Sequence, residues 1–230
     1  MKNILSLLFL ATLSFTLAAQ SYTKQIKEFD AYIQKGMKDW EIPGMAVVVV
    51  KDNKVLLKKG YGVKELGKSD PVDINTLFVM ASTTKAITAV GMGMLVDEGR
   101  VKWSDRVIDH LPELHLYEPF VTKELRIKDL FTHNTGVGNS DYLWTAMQIP
   151  PTEIISKMEM VEPSYSFRGG YTYQNIFYLI AGMVIEKISG QSWADFTKEK
   201  IFLPLAMTRS QPLKSLTEND TNIASPHDPI

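Results

Sequence analysis

Apolar side chains recur at helical spacing over residues 24–40, where Ile26, Phe29, Ile33, Met37 and Trp40 share one face. Ile42-Pro43-Gly44 ends that helix. The period then changes. "MAVVVVKDNKVLLKKGYG" carries two apolar runs around Asp52-Asn53, a tight hairpin signal. The first run is unbroken from Ala46 to Val50, which predicts a strand buried on both faces. Helical spacing returns over residues 82–98, with Met92, Leu95 and Val96 facing inward and Gly99 closing the segment. Ser104 is expected to cap a short helix before Leu111-Pro112, and Lys128 to His133 reads as another, ending near Gly136. Pro150-Pro151-Thr152 opens a helix through Met160, and residues 174–188 form a strongly apolar helix ending at Gly190. Ser192 and Asp195 pair as a cap for a last helix, stopped before Pro204. This order is α+β, with an antiparallel sheet of only two recognisable strands. Two strands alone cannot support a domain of this size.

The N-terminus adds a compartment. Lys2, the apolar run Ile4 to Ala18 and the small residues Ala18 and Ala19 read as a secretory signal peptide over residues 1–19. The run is shorter than the roughly 20 residues of a membrane span. A periplasmic or secreted protein is expected, with no stable membrane span once the leader is removed. The sequence has 230 residues, 45% hydrophobic and 22% charged, an ordinary globular composition. A net charge of −1 offers no basic excess for nucleic acid. There is no cysteine, hence no disulfide and no cysteine for lipid attachment.

Candidate chemistry begins at "VMASTTKAIT". Ser82 precedes Lys85 by three residues, so on a helix the ammonium reaches the hydroxyl. A helix N-terminus beside a serine also offers free N–H groups and a positive dipole end to an oxyanion. The pair alone reads equally well as a capping serine beside a solvated lysine. About one Ser-x-x-Lys match is expected by chance in a chain this long. A second one, Ser21 with Lys24, lies where nothing preorganises it. Further on, "YTYQN" places Tyr173 and Asn175 two apart, after Gly169-Gly170 and before the apolar helix. A tyrosine beside a lysine ammonium has a lowered pKa and can take a serine's proton. The asparagine can hold the lysine and bond a substrate carbonyl. By itself this pair reads as readily as a core tyrosine beside a capping asparagine.

Several stretches fall in one order. They are "IPGMAVVVVKDNKVLLKKGYG", "DINTLFVMASTTKAITAVGMGMLVDEGRVKWSDRVIDHLPEL", "IKDLFTHNTGV" and "YTYQNIFYLIAGMVIEKISGQSWADFTKEKIFLPLAMTRS". Together, over about residues 24–227, they resemble the serine beta-lactamase and penicillin-binding-protein-like hydrolases, in particular the class C beta-lactamase and esterase branch. "THNTG" resembles a family stretch reading threonine-histidine-threonine-serine-glycine, with Asn134-Thr135-Gly136 at its end. The resemblance implies a beta-lactamase/transpeptidase-like fold: an antiparallel sheet flanked by helices, plus a helical region. It implies Ser82 as acylated nucleophile, Lys85 and Tyr173 as coupled acid and base, and Asn175 as the residue that orients Lys85 and substrate. Neither metal nor cofactor is implied, and the partner is a small-molecule or peptide substrate.

The family's third element, Lys-Thr-Gly or His-x-Gly on a later strand, is not found after Tyr173. Lys58-Lys59-Gly60 precedes the serine, and His227-Asp228-Pro229 has no glycine. "NIASPHDPI" resembles a stretch inside the family's domain. Residues 20–230 are therefore expected to be the N-terminal part of such a domain, with its C-terminal strands missing. Three functions remain open: a serine hydrolase acting through an acyl-enzyme on a beta-lactam, a D-amino-acid peptide or a small ester; a truncated or binding-only relative without turnover; and an exported scaffold whose Ser-x-x-Lys is accidental.

Overall fold

The computed structural model describes residues 22–145 and 149–227. The expected signal peptide, and Asp228 and Pro229, lie outside the described residues. The described residues form two compact units, one of 22–76 with 224–227 and one of the rest, from 77 to 223.

The first unit holds helix α1 (Thr23–Asp39) and the hairpin β1 (Gly44–Lys51) and β2 (Lys54–Gly62). Asp52 and Asn53 turn the hairpin with φ of 49° and 59°. These left-handed angles suit a two-residue turn, and Asp and Asn tolerate them well. The strands pair antiparallel from Gly44↔Gly62 to Lys51↔Lys54, with a bulge between Val49 and Val50. α1 lies against the face that carries Tyr61, where Lys59 and Tyr61 both donate to Asp30, at 2.7 and 2.6 Å.

The expectation of a strand buried on both faces is not met. Val48 and Val50 are 60% and 58% exposed and alternate with half-buried Val47 and Val49. Among the described residues β1 pairs only with β2, and α1 shields one face. A continuous apolar run therefore behaves here as a one-sided strand. The expected apolar stripe of α1 is likewise only partly covered, with Ile33 buried and Trp40 81% exposed.

The second unit is helical, with no β-strand among its described residues. A 3-10 turn, Ala81–Thr83, leads into α2 (Thr84–Asp97). Short helices α3 (Val107–His110) and α4 (Pro119–Glu124) follow, then a 3-10 segment over Ile127–Phe131. After them come α5 (Tyr142–Thr145), α6 (Pro151–Lys157) with a 3-10 turn Met158–Met160, α7 (Ile176–Ser189) and α8 (Trp193–Thr197). A π-helical turn, Lys198–Phe202, extends α8. Ser192 caps α8 as expected, its Oγ accepting from the Asp195 N–H at 3.0 Å. Ser104 does not cap α3, which starts at Val107 behind Arg106. Lys102 N–H instead bonds the Asp105 carboxylate, so the turn closes on the aspartate.

α7 is the axis of the core. Ile176, Phe177, Ile180, Ala181, Val184 and Ile185 are buried, as its near-continuous apolar sequence requires. α2 brings Met92 and Leu95 against it, and α8 brings Phe196. Gly91 permits the close approach: a Cβ there would stand 3.3 Å from Phe196 and 3.4 Å from Ile185. α2 and α7 run in the same direction, with Lys85 meeting Asn175 at one end and Arg100 donating to the Ile188 carbonyl at the other. Two helix N-termini, and their positive dipole ends, are thus brought side by side.

The loops around those N-termini are pinned by Asp129, which is 3% exposed. It accepts from Arg168 Nη2 and Nε, at 2.6 and 3.0 Å, and from the Arg126 N–H at 2.8 Å. Arg168 N–H in turn donates to the Asn134 carbonyl. Gly136 sits at φ 88° where a Cβ would meet the Tyr165 carbonyl at 2.7 Å. Asp129→Ala is expected to lower stability by about 3 kcal/mol, the low end for breaking a buried pair, because Arg168 is half-exposed and rehydrates. Urea unfolding of the two proteins measures this.

Candidate active site

Ser82 lies in the 3-10 turn just before α2, and Lys85 in the first turn of α2. Ala81, immediately before Ser82, holds φ 46°, a left-handed conformation that costs a non-glycine residue of order 1 kcal/mol or more. The strained turn presents an exposed Ser82 beside the helix start. Ser82 does not cap α2, which has no side-chain cap. Its Oγ instead accepts from Lys85 Nζ at 3.1 Å and from the Tyr173 hydroxyl at 2.5 Å.

Tyr173 and Asn175 approach from the start of α7. Asn175 occupies the N-cap position, yet its side chain makes no cap bond. Its Oδ1 accepts from Lys85 Nζ, and its Nδ2 donates to Asp141 Oδ2 at 2.9 Å. The Lys85 ammonium also stands 4.7 Å from the Tyr173 ring centroid and 5.3 Å from that of Tyr178. All four residues expected from the sequence therefore converge. Both bland alternatives, a capping serine and a capping asparagine, are absent from the geometry.

The electrostatics follow. The Lys85 ammonium, first, and the Ser82 hydroxyl hold the Tyr173 phenol below its ordinary value, against a smaller opposing effect of burial. Tyr61 shows the reverse case: burial, then the Asp30 carboxylate, push its phenol up to about 12.

Three participants are not among the residues singled out from the sequence. Asp141 reaches Asn175 from the segment before α5. Gln174 is buried; its amide donates to the Val137 carbonyl and accepts from Thr135 Oγ1 at 3.0 Å. His133, at φ 56°, ends the 3-10 segment two residues after Phe131 and so shortens the helix expected through residue 133. Its Nδ1 accepts from the Gln174 N–H at 3.1 Å, and its ring lies 4.6 Å from that of Tyr173. The "FTHNTG" stretch is the only sequence signal that marked this loop.

Burial, and then the nearby Lys85 charge, push the His133 imidazole below its ordinary value near 6.5. The folded protein thus binds this proton less readily than the unfolded chain. Its contribution to stability is complete above pH 6.5 and is lost as the pH falls through the folded value. Wild type is expected to lose melting temperature faster than His133→Gln between pH 6.5 and 5, as read by thermal melts at stepped pH.

Among the described residues no group of three or more His, Asp or Glu side chains gathers to hold a metal ion. An open cleft of about 680 Å³, lined by residues including Ile108, His115, Tyr117 and Met160, contains none of the four converging residues. The converging side chains, and not that cleft, define the candidate site.

This fold and this constellation place the chain in a known class. The chain belongs to the Beta-lactamase family, whose model matches residues 29–219. Among curated relatives it is 29% identical over 192 residues to the unguisins hydrolase ungD of Aspergillus violaceofuscus, covering 80% of this chain and 34% of that protein. It is 27% identical over 207 residues to protein flp of Staphylococcus aureus strain MW2, covering 89% and 40%. Among solved structures, the octameric penicillin-binding protein homologue from Pyrococcus abyssi superposes with a TM-score of 0.75 at 27% identity, over 86% of this chain and 47% of that one. A class C beta lactamase superposes with a TM-score of 0.68 at 24% identity, over 82% and 51%, a likeness of fold. The fold is beta-lactamase/transpeptidase-like, and the chain spans about a third to a half of the length of these proteins.

Proposed function

We propose that the protein is a serine hydrolase that forms an acyl-enzyme on Ser82 with an amide or ester substrate: a beta-lactam, a D-amino-acid peptide or a small ester. The observation that carries this reading is the double hold on Ser82 Oγ by Lys85 Nζ and the Tyr173 hydroxyl. An unactivated serine is a weak nucleophile and needs an adjacent base. Tyr173, with its lowered pKa, and Lys85 supply a coupled base. As Ser82 Oγ bonds to the substrate carbonyl carbon, its proton passes to the Tyr173 oxygen, with Lys85 stabilising the phenolate until then. The carbonyl π pair moves to oxygen, where the paired helix N-termini of α2 and α7 favour negative charge. Collapse of the intermediate expels the amine or alcohol, which takes the proton back from Tyr173. Water then attacks the ester on Ser82 while the same base removes its proton; the bond to Ser82 Oγ breaks, the acid leaves, and Ser82 Oγ takes the proton back from Tyr173. Asn175 keeps Lys85 in place and offers its amide to the substrate. The similarity to a hydrolase and to a penicillin-binding protein homologue supports acyl chemistry of this kind.

The test is hydrolysis of nitrocefin, a p-nitrophenyl ester and a D-alanyl-D-alanine peptide by the purified protein. Turnover of at least one, with a burst of one product equivalent per Ser82, is expected. Absence of turnover with all three, together with no covalent labelling by a fluorophosphonate, favours the binding-only relative. Export to the periplasm or medium belongs to the same proposal and rests on residues 1–19. Mass spectrometry should find a mature N-terminus at Ala19, Gln20 or Ser21. Intact Met1 on soluble cytoplasmic protein would count against it.

A further inference from the structure

Asn175 has two neighbours of opposite demand. Lys85 carries an ammonium that only donates hydrogen bonds, and Asp141 carries a carboxylate that only accepts them. A side-chain amide has one accepting and one donating end. One orientation satisfies both neighbours: Oδ1 to Lys85 and Nδ2 to Asp141, at 2.9 Å for the second. The flipped amide would set NH2 against ammonium and C=O against carboxylate, losing both bonds and adding two repulsions. Asp141 is itself held, its N–H donating to Asn139 Oδ1 at 3.1 Å.

We infer that Asp141 is a positioning residue: its carboxylate locks the Asn175 amide with the carbonyl facing Lys85, and so holds Lys85 against Ser82 and Tyr173. The inference rests on the hydrolase reading above. The relay runs from Asp141 through Asn175 to Lys85, whose ammonium then lies 3.1 Å from Ser82 Oγ. Without Asp141 the amide loses one of the two bonds that distinguish its faces, and the flipped orientation becomes less costly. The flipped amide presents hydrogens to Lys85, and the lysine is released from its anchor on Asn175. Asp141 is hydrogen-bonded to Asn175, and its direct influence on Tyr173 is the smallest of those acting on that phenol, so its positioning effect passes through Asn175.

That route gives a test that a merely structural residue would not pass. The rate of fluorophosphonate labelling of Ser82 is measured for wild type, Asp141→Ala, Asp141→Asn, Asn175→Ala and the Asp141→Ala/Asn175→Ala pair. Asp141→Ala should label about tenfold slower, the size of one net hydrogen bond. Asp141→Asn can still accept from Asn175 Nδ2 and should recover most of that loss. The pair should label no more slowly than Asn175→Ala alone, because residues acting in series are not additive. An equal tenfold loss from Asp141→Ala in both backgrounds would overturn the inference, as would Asp141→Asn as slow as Asp141→Ala. A second readout needs no activity: the Asn175 side-chain amide signals in a ¹H–¹⁵N spectrum. These should move in Asp141→Ala and stay in place in Ser82→Ala. If wild type fails to label, the hydrolase reading falls, and the amide signals alone decide the lock. Signals unmoved by Asp141→Ala refute it.

Discussion

Ser82→Ala is expected to fold as wild type does and to lose turnover by about 10⁶-fold, the scale seen when a nucleophile acting in a concerted unit is removed. The folding half rests on exposure. Ser82 stands in an exposed turn, caps no helix and, among the described residues, bonds Lys85 and Tyr173 through its side chain. Alanine at that point leaves no cavity and no buried unpaired group, so stability should change by about 0.5 kcal/mol or less. The activity half rests on the mechanism having no other nucleophile within the constellation: Lys85, Tyr173 and Asn175 all point toward Ser82 or hold one another. Circular dichroism melts and nitrocefin or ester turnover, measured on the same preparation, separate the halves. Unchanged turnover in Ser82→Ala would remove the nucleophile assignment.

Tyr173→Phe is expected to slow acylation by about 100-fold or more, the usual contribution of a positioned general base. The variant keeps the ring, and with it the contacts to His133 and to the Lys85 ammonium. It removes only the hydroxyl that sits 2.5 Å from Ser82 Oγ. The pH profile adds a second, independent mark. Lys85 lowers the Tyr173 phenol from its ordinary value near 10, so the fraction of phenolate grows as the pH rises through that lowered value. Wild-type kcat/KM should therefore climb on the alkaline side with an apparent pKa below 10, and the limb should be missing in Tyr173→Phe. A Tyr173→Phe enzyme with full rate and an unchanged profile would assign the base elsewhere.

Much of this architecture was legible because it is local. The α7 helix announces itself by its apolar content and by Gly190, and the hairpin by Asp52-Asn53, whose left-handed angles few other residues adopt as readily. Ser82 and Lys85 are three apart on one helix start, and Tyr173 and Asn175 two apart before another, so each pair leaves a short signature. What joins the pairs is not local. Lys85 and Asn175 are 90 residues apart, and their meeting depends on how α2 packs along α7 through the close contact at Gly91. Asp141 leaves no signature at all, because its role arises from a bond to a residue 34 positions away. The Ala46–Val50 run misled for a different reason. An unbroken apolar stretch records that a strand can be buried, not how many neighbours it has, and Val48 and Val50 stand exposed on the hairpin. Ser104 misled because Asp105 competes for the same turn and closes it.

The central claim is that Ser82 is the residue that becomes acylated. The most direct measurement is peptide mapping by mass spectrometry after brief exposure of the purified protein to a fluorophosphonate and, separately, to penicillin. The account predicts one adduct with either the fluorophosphonate alone or both probes, located on Ser82, and none on the Ser82→Ala protein. An adduct on another residue that persists undiminished in Ser82→Ala would contradict it.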